Sequence, residues 1–198
     1  AVRAPLTFLF SFIMCLMINR TLSLMFLFAA VFLIIVLGII MVVTLKIFDE
    51  VFHRDHPLKG NWNRDFFRND NPIVLELGCG KGTYAARVAA DHPEINLLAI
   101  DIKSDILAVA RRNIQAVYAE AGRPVDNLRL TAYEIGIIQT LLAPEDTVDR
   151  ICINFCNPWP HTGHRKKRLT HPKQLVLYAC FLRDGAEIHF KTDDDDLF

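Results

Sequence analysis

The stretch Glu76-Leu77-Gly78-Cys79-Gly80-Lys81-Gly82 joins the apolar run Ile73–Leu77 to a helix-forming segment beginning at Thr83. A short apolar run closed by glycines reads as a buried strand. Glycines at alternate positions let the backbone turn tightly and approach a ligand closely. Two nucleotide-binding patterns are excluded by spacing. A Walker P-loop requires Gly five residues before the Gly-Lys pair, where this chain has Leu75. A GxGxxG fingerprint requires Gly at 83, where it has Thr83. The turn therefore opens a strand-helix unit that fits neither pattern and carries the acidic Glu76 beside its glycines.

The pattern continues as alternating strands and helices. Strands are expected at Leu97–Ile100, Leu128–Thr131, Arg150–Phe155 and Glu187–Lys191. Helices are expected at Thr83–Asp91, Ser104–Ala121 (Ser104 as N-cap, Gly122 as stop), Ile135–Leu142 and Pro172–Leu182. Strands separated by helices imply right-handed βαβ units, hence an α/β, Rossmann-like, doubly wound parallel sheet. Its ligand belongs beyond the carboxyl ends of the strands.

The N-terminal part has a different character. Thr21 to Leu45 is 25 residues without a charge, enough for a helix to cross a hydrocarbon core about 30 Å thick. Pro5–Ile18 is a second uncharged run of 14 residues, short for a span. The downstream cluster Lys46, Arg54, Lys59 and Arg64, against Arg3 and Arg20 upstream, orients the remainder of the chain toward the cytoplasm. A signal peptide fits less well, because no A-x-A-like site follows; a joined neighbouring reading frame is the other alternative. The expected organisation is an apolar helical segment over 1–46, a linker and domain edge over 47–70, and an incomplete catalytic domain over 71–198. Ala1 in place of Met, and an end just after an acidic run, lead us to expect a fragment. The five cysteines are odd in number and form no CxxC pair, which speaks against a disulfide framework or a zinc site.

Removing Arg3, Arg20 and Lys46 from the 22 basic residues leaves 19 against 22 acidic ones in 47–198. A nucleic-acid partner would then need a local basic patch. One follows the fourth expected strand: His161, His164, Arg165, Lys166, Lys167, Arg168 and Lys173, whose natural partners are backbone phosphates. It comes directly after Asn154-Phe155-Cys156-Asn157-Pro158-Trp159-Pro160, a loop stiffened by two prolines, with Trp159 as a flat face for a base and Asn157 as a hydrogen-bonding partner for a base edge. A zinc reading of His161, His164 and His171 has no cysteine support, and no metal is expected. Asp101, 23 residues after Gly78, ends the second strand, where a carboxylate can accept ribose hydroxyls. Glu134 follows the third strand and is placed to meet an adenine amino group. Phe190-Lys191-Thr192-Asp193 ends the fifth, with Asp193 placed to accept from guanine N1–H and its exocyclic amine.

The glycine motif, the Asn-Phe-Cys-Asn-Pro-Trp-Pro loop with its Arg-Lys-Lys-Arg-Leu sequel, and Phe-Lys-Thr-Asp together resemble the bacterial tRNA (guanine-N7-)-methyltransferase family, over Lys59 to Phe198. The resemblance implies a class I methyltransferase sheet with five strands present in order 3-2-1-4-5. It also implies S-adenosyl-L-methionine as cofactor, tRNA as partner, and a variable-loop guanine as methyl acceptor. By resemblance Glu76, Gly78, Gly80, Gly82, Asp101 and Glu134 hold the cofactor. Asn157 takes the catalytic position and also borders the cofactor, and His161 and Asp193 match substrate-contacting positions; Arg165, Lys166, Lys167 and Arg168 are expected at the substrate as part of the basic patch. The chain departs from the family in four ways. Asn157 stands where the family usually has Asp, and His161 replaces a permanently charged Lys. Apolar sequence replaces the usual soluble N-terminal arm, and the chain stops where the family continues, so a later Thr-x-x-Glu-type motif and the last strands are absent. Two rivals follow. One is an exocyclic-amine methyltransferase, whose Asn-Pro-Pro-aromatic loop Asn157-Pro158-Trp159 partly matches. The other is an inactive membrane-anchored module that binds cofactor or RNA.

Overall fold

A computed structural model describes residues 10, 11, 14, 17, 19–52 and 54–197. The chain divides into two compact units, Ala1–Arg54 and Asp55–Phe198.

The first unit contains helix α1, Arg20–Phe52. Asn19 starts it, its side-chain Oδ1 accepting the Leu22 N–H at 3.1 Å and its carbonyl accepting the Ser23 N–H. Within Arg20–Phe48 the most apolar 18-residue window has a mean hydropathy of 3.3, and none of it is buried. Phe28, Phe32, Ile34 and Met41 all present their side chains to the exterior. An apolar helix of 29 residues is about 44 Å long at 1.5 Å per residue, more than a hydrocarbon core requires. It is long and apolar enough to cross a membrane. The shorter run, Pro5–Ile18, lies for the most part outside the described residues.

The second unit is the parallel sheet. Its strands are β1 (Ile73–Leu77), β2 (Asn96–Asp101), β3 (Leu128–Ala132), β4 (Val148–Asn154) and β5 (Leu182–Lys191), in the order β3-β2-β1-β4-β5. Every pairing is parallel. The expected fold class and strand order are those observed. β1 is central, and each of its five residues is buried, as a strand covered on both faces requires. Helices α2 (Thr83–Asp91) and α3 (Ser104–Glu120) cover one face through Ala85, Ala86, Ala89, Ala110 and Ile114. The small alanines let the helices lie close to the strands. The other face buries Leu75, Leu98, Ile138, Leu141, Tyr178 and Phe181, including part of helix α4 (Pro172–Ala179).

Several boundaries differ from the sequence expectation for physical reasons. Ser104 is the first helical residue of α3 rather than its cap; Lys103 holds that position with extended backbone and no side-chain bond. α4 stops at Ala179, and Leu182 opens β5 instead. The Ile135 segment is a 3-10 helix ending at Thr140. β4 ends at Asn154 because Phe155 takes φ 50°, in the left-handed region. Phe155, expected as the last residue of this strand, is 56% exposed.

Residues before β1 pack on the domain. Trp62 opens a helical turn, Trp62–Phe67, and is 1% exposed, its indole N–H donating to the Leu141 carbonyl at 3.1 Å. Asp146 accepts backbone N–H groups of Gly60, Trp62 and Ala143 at 2.8, 3.2 and 2.9 Å. One buried carboxylate thus pins this segment to the turn before β4.

Candidate cofactor and substrate site

The glycine turn sits at the carboxyl end of β1. Gly78, Gly80 and Gly82 all have positive φ, 78°, 51° and 66°, a region where a Cβ is strained. They also do different things. A Cβ on Gly82 would lie 2.9 Å from that of Ala110, so its bareness lets α2 close on α3. A Cβ on Gly80 would meet nothing within 4 Å, so this part of the turn faces open space. The turn is tied to β2, with the Gly78 and Cys79 N–H groups donating to the Ile100 carbonyl at 2.8 and 3.0 Å.

Glu76 lies within β1 and is 3% exposed. Asn154 Nδ2 donates to its Oε1 at 3.3 Å, while Oε2 is buried with no partner. Burial pushes the carboxyl up to about 7, with Asp101 adding in the same direction and bonds from Asn154 and the backbone at Ala85 opposing. Asp101 points its Oδ2 back to accept the Gly80 N–H at 2.9 Å and its Oδ1 to the Lys103 N–H at 3.0 Å. Each oxygen keeps a further lone pair for a hydroxyl. Glu134 is exposed and caps the 3-10 helix through Gly136 N–H at 3.1 Å.

The bare Glu76 oxygen and the space over Gly80 fit a cationic ligand. A buried acceptor without a donor is costly; an ammonium group supplies both a donor and the opposite charge. Sequence reasoning missed Asn154. It became visible only when the sheet register placed Glu76 against Cys152, two residues before Asn154.

The second loop leaves the adjacent strand β4. Asn157 is exposed and its Oδ1 accepts the Trp159 N–H at 3.1 Å, closing a tight turn. Trp159 has φ 46°, so the loop holds two non-glycine residues in the left-handed region, Phe155 and Trp159. Lys167 Nζ lies 4.9 Å from the Trp159 ring centre, and His164 meets the same ring edge-on at 5.6 Å. His161 in turn touches His164, and among the described residues no His/Cys/Asp/Glu group of three or more is arranged to hold a metal.

The basic residues divide. His161, Arg165, Lys166 and Lys167 are exposed on or beside the turn Thr162–Lys167. Arg168 is turned inward. Its Nε donates to the Pro158 carbonyl at 2.7 Å and its Nη1 to the Asp196 carbonyl at 3.2 Å. That guanidinium therefore ties the Asn157 loop to the segment after β5. Asp193, exposed, belongs to that segment, and Lys191 lies over the Phe155 ring at 5.2 Å. The structure thus brings Glu76, Asp101 and the glycine turn together on β1 and β2, and Asn157, the basic turn and Asp193 on β4 and β5, at the same edge of the sheet.

A doubly wound sheet with an open glycine turn and a buried acid at its central strand defines the class of Rossmann-like methyltransferase domains. Residues 70–198 match the family model described as "Putative methyltransferase", and the chain belongs to that family. The tRNA (guanine-N(7)-)-methyltransferase of Clostridium perfringens (strain SM101 / Type A) is 56% identical over 140 residues, 71% of this chain and 64% of that protein. The protein of the same name from Ruminiclostridium cellulolyticum is 53% identical over 150 residues, 74% of this chain and 63% of its own length. The chain thus spans just under two thirds of the length of these curated relatives. A solved antibiotic-related methyltransferase overlaps with a TM-score of 0.47 at 14% identity, covering 70% of this chain and 65% of that one.

Proposed function

We propose that this chain transfers the methyl group of S-adenosyl-L-methionine to N7 of a guanine in the variable loop of tRNA. The observation that carries the reading is the placement of an open, acid-backed glycine turn on β1 beside an exposed Asn-Pro-Trp loop on β4. The close relatives named above for the same reaction support it.

Bound over the glycine turn, the cofactor supplies an electrophilic methyl on a cationic sulfur; the N7 lone pair forms the new C–N bond while the C–S pair returns to sulfur. N7 carries no proton, so the chain has none to remove. Its residues bind, orient and exclude water. Glu76 receives the cationic amino-acid end, Asp101 the ribose hydroxyls, and Glu134 the adenine amine. Asn157 holds the base edge, in the position where the family usually has a carboxylate. Asp193 accepts from the guanine N1 edge. His161, Arg165, Lys166 and Lys167 meet phosphates. Asn157→Ala should slow methyl transfer about a hundredfold with cofactor affinity unchanged. Unaltered turnover would remove Asn157 from this role.

The reading is tested by incubating the protein with methyl-labelled cofactor and bulk tRNA and digesting to nucleosides. 7-Methylguanosine is the expected product. A methylated exocyclic amine would favour the Asn-Pro-Pro-aromatic alternative, and absence of product an inactive binding module. For helix α1 we infer a membrane attachment with the methyltransferase unit on the cytoplasmic side. Its support is the exposed apolar surface over Arg20–Phe48 and the basic residues that follow.

A further inference from the structure

A second concave surface lies at the opposite end of the sheet from β5. It is a groove of about 660 Å³ along the free edge of β3, walled by α3 on one side and by Phe66 on the other. Its floor is apolar, from Leu107, Val125 and Leu128. Its charged lining is Arg111 and Arg129, with no carboxylate among the lining residues. Among the described residues neither guanidinium is in an ion pair; the nearby Asp126 pairs with Arg123 instead. The Arg129 guanidinium carbon lies over the Phe66 ring, 4.9 Å from its centre.

We propose that this groove is a second RNA contact, taking an unstacked nucleotide of the tRNA substrate, and the proposal rests on the tRNA reading above. Two uncompensated cations call for an anionic occupant. An apolar floor beside a flat guanidinium-on-ring platform calls for one that also has a planar apolar body. A nucleotide combines both: the base lies on the Arg129–Phe66 platform and the phosphate meets Arg111. The volume lies within the usual range of small-molecule sites, roughly 300–1,000 Å³. The distance also suits an extended substrate. β3 and β4 are separated by β2 and β1, about 14 Å at the usual strand spacing, so one tRNA can engage this groove and the β4 loop together.

The test uses the full chain in mild detergent and fluorescently labelled tRNA, with binding followed by anisotropy across a salt series. Arg111→Ala and Arg129→Ala should each weaken binding about three- to tenfold. The slope of log affinity against log salt should become shallower by about one for Arg111→Ala. Cofactor affinity, measured in parallel, should be unchanged and reports that each variant is folded. Arg129→Lys, which keeps the charge and loses the plane, should bind tRNA nearly as weakly as Arg129→Ala. Three results overturn the proposal. If both alanine variants keep wild-type affinity and slope while the wild type binds and methylates tRNA, the groove fails and the tRNA reading stands. If the wild type does not bind tRNA at all, both fall. If the variants change only the oligomeric state in sedimentation, the groove is a protein interface.

Discussion

The Glu76 carboxyl has one oxygen held by Asn154 and the other bare inside the domain. A proton satisfies that oxygen when no cationic ligand does. With a folded pKa near 7 against an ordinary value of 4.5, the folded state binds this proton more tightly than the unfolded chain. The stabilisation is fully present below about pH 4.5 and is lost as pH rises through 7. The shift corresponds to at most about 3 kcal/mol. Ligand-free wild type should therefore lose stability between pH 5 and 8 in denaturant titrations, and Glu76→Gln should not. At pH 8 the variant should be the more stable protein and should bind S-adenosyl-L-methionine at least about tenfold more weakly by calorimetry. Parallel pH profiles for the two would refute this account. The acid, its strand and the open turn were all legible from residues 73–82. The partner Asn154 was not, because cross-strand neighbours depend on register.

Among the elements, the loop after β4 and the segment after β5 are tied by Arg168, beyond the Phe155 N–H bond to the Lys191 carbonyl at 2.8 Å. Its guanidinium reaches a carbonyl in each. The sequence marks Arg168 only as one more member of a basic run, and nothing in local spacing separates an inward arginine from an outward one. Its neighbours Arg165, Lys166 and Lys167 are exposed, as a phosphate-binding run requires. Arg168→Met should keep the packing of the stem while releasing both carbonyls. We expect kcat/KM for tRNA to fall about tenfold with cofactor affinity unchanged, and hydrogen exchange to quicken at Trp159 and Leu197. An altered salt dependence with unaltered exchange would instead mark Arg168 as a phosphate contact. Strand and helix positions were readable because burial imposes a period of two or 3.6. The ends that moved, at Phe155, Ala179 and Leu182, are set by single backbone angles and by pairing with a neighbouring strand.

For the molecule as a whole, the sequence divides sharply by composition, and the same division separates α1 from the methyltransferase unit. Solvent-exposed apolar side chains cover the helix from Leu22 to Phe48. If α1 is seated in a bilayer, the protein should stay with membranes through alkaline carbonate washing and leave only with detergent. Recovery in the carbonate supernatant would refute the attachment. The parallel doubly wound sheet was legible because strands alternate with helices, while its order 3-2-1-4-5 came from the family resemblance. The β3 groove was not: Phe66, Arg111 and Arg129 are far apart in the chain, and only the fold gathers them.

Gly82 has a consequence of a different kind. It holds φ 66°, and a Cβ there would lie 2.9 Å from that of Ala110, so one residue answers two demands, on backbone angle and on space. Gly82→Ala should destabilise the domain by about 1–3 kcal/mol, read as a lower denaturant midpoint. Gly80→Ala, whose Cβ would meet nothing within 4 Å, should cost only the left-handed backbone strain of about 1 kcal/mol. Equal midpoints for the two variants would refute the close approach of α2 and α3 at this glycine.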